Sequence, residues 1–289
     1  MSVPDPSYYI QKTAYKGFGL FAKRKIFRGE LIISEQPLFT YDRDKNYLTH
    51  QIEEKIKILS IEDKSLFNSL FDCYLPKSPT PIGIAETNSL PLGSFSNIYG
   101  IFPTISRINH SCVPNVYHSW NCFKKFETVY ALKDIEKNEE IVTSYIDLYA
   151  DRDTRKNQLK KSFRFICCCQ ICKNDSSNIK KSDIRRKVLN QLDQEIALFA
   201  FKNPEKAIIK GEQLLKYLKD EDMYYLANYV GRIAYDVFQI MLTNIKTNKK
   251  LSATIDIWAR LVIENFLICS GNYDDCNLKD HLEIFANKF

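Results

Sequence analysis

Asn109-His110-Ser111-Cys112-Val113-Pro114-Asn115 is the stretch that decides how this chain is read. Four polar side chains and a thiol surround Pro114, whose ring fixes one backbone angle and removes one donor. Taken alone, the stretch fits either a polar turn or a Cys–His nucleophile. The second is disfavoured, because His110 and Cys112 lie two residues apart and catalytic pairs usually come from separate segments. Downstream, Val116-Tyr117-His118-Ser119-Trp120 and Thr128-Val129-Tyr130-Ala131-Leu132 flank a polar 121–125 turn, which predicts a hairpin. Ile141-Val142-Thr143-Ser144-Tyr145 is a further β-branched and aromatic run. Upstream, apolar runs at 8–10, 20–22, 31–33 and 38–41 are bounded by Gly17, Gly19, Gly29 and Pro37 and predict brief strands. Tyr47, Leu48, Ile52, Ile56 and Leu59 recur at helical spacing, and Ser60 with Asp63 signals the start of a second helix through Phe71. Pro76, Pro79 and Pro81 are read as ending it.

Glycine and proline are unevenly placed. Nine of the 10 prolines precede residue 115, and six of the 9 glycines precede residue 101. Both residues punctuate turns and interrupt helices, so the last ~110 residues are predicted to be mostly helix. Amphipathic segments near 182–200, 204–219, 222–243, 250–270 and 276–287 fit a helical bundle or loose helical repeat. Ser182 reads as the first cap, and Pro204 suits a helix first turn.

Apolar residues make up 45% of the chain and charged residues 26%, which excludes global disorder. Forty-one basic and 35 acidic residues leave a net charge of +6, too mild to call for nucleic acid. The densest basic stretch, Arg152 to Arg164, reads as a solvated helix face. No run of about 18 uncharged apolar residues occurs, so no membrane contact is expected. Met1 to Pro6 carries no secretory pattern. The expected setting is therefore reducing, cytoplasmic and/or nuclear, with thiols or metal ligands rather than disulfides. A monomer is expected.

Four of the 9 cysteines fall within six residues: Cys167, Cys168, Cys169 and Cys172. Neighbouring side chains in an extended turn point apart, so Cys167, Cys169 and Cys172 can face one ion with Cys168 as spacer. A structural zinc is tetrahedral, so one ligand is missing. Cys73, Cys112, Cys122, Cys269, Cys276 and four histidines remain candidates, and spacing does not choose among them.

The order of these segments resembles the SET-domain methyltransferases. Asn109 to Asn115 matches their Asn-His-Ser-Cys-x-Pro-Asn motif. Glu139-Glu140-Ile141-Val142-Thr143-Ser144-Tyr145 is similar to their Glu-Glu-Ile/Leu…Tyr motif, and Lys16 to Ala22 to their Gly-x-Gly-Leu-Phe-Ala segment. Cys167-x-Cys169-x-x-Cys172 resembles their post-SET zinc motif. Thr87 to Gly93 resembles a segment of the fungal-type branch that is related to MYND-bearing proteins. The resemblance covers roughly residues 8–175.

The resemblance implies an α+β fold: short twisted sheets with a threaded, pseudoknot-like core and a zinc-binding post-SET turn, to which the residue pattern above adds an all-α C-terminal region. It implies a SET domain over 8–148, carrying the 46–75 helices as an insert, and a post-SET zinc segment over 149–175; the pattern adds a helical domain over 181–289. The implied activity is methyl transfer from S-adenosyl-L-methionine to a lysine of a protein substrate. Asn109 and His110 match cofactor contacts, as do Lys16, Gly17 and Phe18, Asn88, and Phe165 for the adenine. Tyr145 matches the catalytic tyrosine. Cys112 matches the fourth ligand of one structural Zn2+, with Cys167, Cys169 and Cys172. Four departures stand out. The cysteine-rich MYND insertion after Pro37 is replaced by the 46–75 helices. Lys16 stands where arginine is frequent, and Asn138 where glycine precedes Glu139. Phe163 stands where a second substrate-channel tyrosine is common. The alternative reading is a non-catalytic SET scaffold with a structural zinc.

Overall fold

A computed structural model describes residues 5–44, 46–74, 79–93, 96–244 and 254–271. The chain forms two compact units: Met1–Tyr145 with Asn157–Cys167, and Ile146–Lys156 with Cys168–Phe289. The predicted helix near 276–287 lies outside the described residues.

The first unit begins with β1 (Tyr8–Lys12) and β2 (Phe18–Ala22), an antiparallel hairpin. Gly17 makes its turn possible with φ +73°, and its carbonyl accepts from the Thr13 amide at 2.7 Å. Next come β3 (Leu31–Glu35) and β4 (Thr40–Asp42). The helical insert follows, with α1 (Leu48–Lys57), α2 (Ile61–Asn68) and α3 (Pro81–Asn88). Ser60 caps α2 as expected, accepting from the Asp63 amide at 3.0 Å. The helix α3 was not foreseen. Pro81 does not end a helix but starts one, since its missing N–H falls where no partner is needed. Thr80 caps it through the Gly83 amide at 3.1 Å.

Strands β5 (Ser89–Pro91) and β6 (Ile98–Ile101) pair with β4 in the order β4-β6-β5. The insert packs on this small sheet. Phe39, Tyr41, Ile52, Phe67, Leu70, Ile84, Ala85 and Ile101 form one buried cluster. At about 1.5–3 kcal/mol for each large side chain, this anchors the insert as an integral part of the unit.

Then β7 (Asn109–His110), β8 (Val116–Asn121), β9 (Phe126–Ala131) and β10 (Glu140–Thr143) complete two more sheets, β3-β9-β8 and β1-β2-β10-β7. The predicted hairpin is β8–β9, and its inner faces join Leu20, Ile105, Ile108 and Ile141 in a second core. Asn138 takes φ +68°, a left-handed conformation that asparagine tolerates where glycine is usual.

The segments joined by the implied threaded core lie side by side. Strand β10 pairs parallel with β7, Val142 opposite Asn109 and Thr143 opposite His110. Asn115, 1% exposed, locks this register. Its Nδ2 donates to Glu140 O at 2.9 Å and Glu139 Oε1 at 3.1 Å, and its Oδ1 accepts from Val142 N at 2.8 Å.

The second unit is helical. Its segment 146–156 holds the start of α4 (Arg152–Phe163), whose remainder belongs to the first unit. It continues with α5 (Ser176–Phe199), α6 (Pro204–Asp220), α7 (Ala227–Asn244) and α8 (Ile255–Ser270), each packed on the next. Helix α5 starts before Ser182, because Asp175 caps it by accepting from Ser177 N and Asn178 N. Pro204 sits in the first turn of α6, capped by Asn203. Among the described residues, no helix is long and apolar enough to cross a membrane.

Asn115→Leu keeps the branched outline but leaves the buried Val142 amide and Glu140 carbonyl without their side-chain partner. A loss of about 2–5 kcal/mol in unfolding free energy is expected, read by chemical denaturation. A variant as stable as its parent would show that the register is held elsewhere.

Candidate functional site

Helix α4 ends at Phe163, and Arg164 at φ +60° turns the chain back in a left-handed cap. That turn brings Phe163 to the Tyr145 ring (centroids 4.9 Å apart, 48° between planes) and Phe165 to His110 (6.0 Å, 51°). His110 and Tyr145 are themselves 5.4 Å apart at 52°. Phe165, His110, Tyr145 and Phe163 thus make one tilted aromatic strip, within the range of favourable ring contacts. Residues from 108 to 165 meet here because β7 and β10 lie in parallel register.

Polar contacts set the chemistry of the strip. The Tyr145 amide donates to His110 Nδ1 at 3.1 Å. An accepting Nδ1 places the ring proton on Nε2, a tautomer assigned from the network. Nε2 lies 3.4 Å from Cys112 Sγ and can donate to a thiolate there. The Tyr145 hydroxyl donates to the Ile108 carbonyl at 2.6 Å. Its proton is therefore committed to the backbone, and the phenol oxygen keeps lone pairs for a further donor.

At the hairpin edge, Asn109 Nδ2 donates to Glu140 Oε1 at 2.9 Å and to Phe18 O at 3.2 Å. Lys16 Nζ reaches the other carboxylate oxygen, Glu140 Oε2, at 2.7 Å. Gly19 must lack a side chain, because a Cβ there would stand 2.7 Å from Asn109 Nδ2. Gly17 faces open space. Asn88 ends α3, buried, with Nδ2 donating to Phe71 O and Ile84 O, each at 2.7 Å. Its backbone carbonyl accepts from Ser106 Oγ at 2.9 Å. Among the described residues, no group donates to the Oδ1 of Asn109 or Asn88. An acceptor carbonyl, an open glycine turn and a half-buried ring suit a ligand with an amine and a flat base.

The Sγ atoms of Cys112, Cys167, Cys169 and Cys172 all lie within 4.8 Å of one another. Zinc at about 2.3 Å from each sulfur would space a tetrahedron of them about 3.8 Å apart. Cys112 and Cys167 are 3.9 Å apart, so the set fits such an ion. Cys168 is exposed, as the spacer reading requires, and so is Cys122. Cys73 lies beside Thr87, Cys269 is buried in α8, and Cys276 is outside the described residues.

A family model, SET domain, matches residues 17–146. Residues 17–146 carry a SET domain. The match spans β2 through Tyr145 and takes in the glycine loop, the asparagine–histidine pair and Cys112. Among curated relatives, the histone-lysine N-methyltransferase set5 of Schizosaccharomyces pombe is 35% identical over 202 residues, 70% of this chain and 61% of its own. The human N-lysine methyltransferase SMYD2 is 37% identical over 86 residues, 30% of this chain and 19% of its own. The SET5 of Eremothecium gossypii is 37% identical over 84 residues, 28% of this chain and 17% of its own. The SET-domain chain thus spans about three fifths of the S. pombe relative and about a fifth of the other two.

Three contributors to this site carry no individual signal in the sequence. Asn115 and Glu140 fall within motifs that assign them no separate role, and each holds neighbouring segments together. Arg164 gave no signal, since arginine has no special preference for φ > 0.

Burial pushes the Tyr145 phenol above its ordinary range, and the Glu140 carboxylate adds to the push. The folded state therefore keeps this proton longer than the unfolded chain does. Its contribution to stability is complete below about pH 10, the ordinary phenol value, and is lost as pH rises through the elevated folded value. Alkaline titration of phenolate absorbance should give the same curve for wild type and Tyr145→Phe up to about pH 10.5. A smaller signal in the variant would mean that Tyr145 ionises normally.

Proposed function

We propose that this chain is an S-adenosylmethionine-dependent protein-lysine N-methyltransferase. The observation that carries the reading is Tyr145, with its hydroxyl proton held by Ile108 O and its ring beside Phe163 and His110. A phenol held in this way accepts one N–H of a lysine amine and turns the amine lone pair in a fixed direction. Tyr145 is the catalytic residue in this reading.

The nucleophile must be a neutral amine. Deprotonating lysine at pH 7 costs about 3.4 pKa units, roughly 4.6 kcal/mol. A channel walled by Phe163 and Tyr145 lowers that cost by disfavouring the ammonium form. Positioning the amine supplies further rate without any change in the groups themselves. When bound, S-adenosylmethionine supplies the activated methyl group.

Lys16, Gly17, Phe18, Asn88, Asn109 and His110 hold that cofactor in this reading, and Phe165 faces its adenine. Asn109 offers a carbonyl for the amine, and Gly17 gives unobstructed backbone. Cys112, Cys167, Cys169 and Cys172 hold one structural zinc, which contributes to folding rather than to chemistry. The substrate is a lysine-bearing protein, met in the cytoplasm or nucleus.

Labelled S-adenosylmethionine added to cell extract with wild type or Tyr145→Phe tests the activity. A labelled protein band that falls about 100-fold or more with Tyr145→Phe is expected. Equal labelling by both proteins would remove Tyr145 from the chemistry, and calorimetry without any cofactor binding would favour a scaffold. Phe163 lacks a hydroxyl, so the channel holds the amine less tightly and admits higher methylation. Phe163→Tyr should shift products toward fewer methyl groups by mass spectrometry; an unchanged distribution ends that idea. Metal analysis should find about one zinc per chain, lost in Cys112→Ser.

A further inference from the structure

The geometry points to Glu140 as a positioning residue that sets which atom of Asn109 faces the cofactor. The inference rests on the cofactor reading proposed above and goes beyond it, because it names what makes that site prefer an amine. Glu140 begins β10, opposite Phe21 on β2. Its side chain is 23% exposed and its two oxygens have different partners. Oε2 takes Lys16 Nζ at 2.7 Å, and Oε1 takes Asn109 Nδ2 at 2.9 Å.

An asparagine amide has a donating and an accepting end, and the two are nearly the same shape. The surroundings decide which end points where. With Nδ2 held between Glu140 Oε1 and Phe18 O, both amide protons of Asn109 have acceptors. The flipped amide would set its carbonyl oxygen against a carboxylate and a backbone carbonyl. That arrangement loses two hydrogen bonds and adds two repulsions. Glu140 thus keeps Oδ1 as the end available to a ligand, and Oδ1 can only accept.

The consequence is a preference for a ligand that donates at this point, namely one with an α-ammonium group. Lys16 completes the arrangement. Paired with Glu140, its charge is balanced; released, it would be a cation beside a site that takes a cation. Glu140 does not touch the reacting atoms, so its effect falls on binding of the amino-acid part rather than on the transfer step.

Calorimetry with S-adenosylhomocysteine, and with its analogue lacking the α-amino group, isolates the effect. Wild type should bind the first more tightly than the second. Glu140→Ala should weaken S-adenosylhomocysteine binding by about 10- to 100-fold, the range for a hydrogen bond to a charged group. The same variant should bind the desamino analogue almost as well as wild type does. Glu140→Gln, which keeps an acceptor for Asn109 while Lys16 turns to water, should recover most of the loss. In turnover, Glu140→Ala should raise KM for S-adenosylmethionine and leave kcat within a few-fold.

An equal loss for both ligands would mark Glu140 as a general structural support and overturn the inference. Unchanged binding of S-adenosylhomocysteine by Glu140→Ala would do the same. If Glu140→Ala does not fold, Glu140→Met, which keeps the length of the side chain but offers Asn109 no acceptor, provides the same comparison. Failure of wild type to bind either ligand removes the cofactor reading itself and this inference with it.

Discussion

The site depends on a parallel contact only two residues long, β7 against β10. Such a contact is weak on its own. Its few net hydrogen bonds are worth about 1–3 kcal/mol in all. Closing the intervening loop of about 30 residues costs about 3 kcal/mol. The balance is tipped by what surrounds the pair. Asn115 replaces the missing ladder with a side chain that bonds like backbone, joining Val142 N and Glu140 O. Ile141, Val116 and Ala131 bury completely or nearly so in one cluster. A short pairing is thereby held in one register, and a one-residue slip would turn every side chain of β10 to the opposite face.

That register decides the rest. His110 and Thr143 are opposite one another, so Tyr145, two residues on, reaches the His110 ring with its amide. The bond fixes the tautomer, and the remaining ring proton faces Cys112. The imidazole therefore ties the position of Tyr145 to a thiol of the cysteine cluster. A zinc there would turn Cys112 into a thiolate and strengthen the hydrogen bond. Such an ion and the phenol would then be coupled through one ring.

Much of this was legible in the sequence, for identifiable reasons. The hairpin at 116–131 follows from alternation and a polar turn, and the cysteine turn from ligand spacing. Pro81 misled because a proline starts helices as readily as it stops them, and the deciding Thr80–Gly83 bond is not visible in composition. The start of α5 was misplaced because Asp175 and Ser182 are both good caps, and only tertiary packing chooses. The fourth cysteine could not be found by spacing, since Cys112 lies 55 residues from Cys167. The resemblance supplied it, and its Sγ lies within 4.8 Å of the other three. Glu140 was invisible for a different reason. Its role is shared among Lys16, Phe18 and Asn109, which are brought together only by the β1–β2–β10–β7 order.

Lys16 then takes on a different meaning. Read as a departure, it is a weaker grip than arginine, because an ammonium makes no bidentate fork. In place, its ammonium meets Glu140 Oε2 at 2.7 Å, while Oε1 takes Asn109. A guanidinium would engage both oxygens in the carboxylate plane and compete for the direction that Asn109 uses. The point charge is thus the better partner where one carboxylate must serve two donors, and a residue that weakens one interaction preserves the orientation of another.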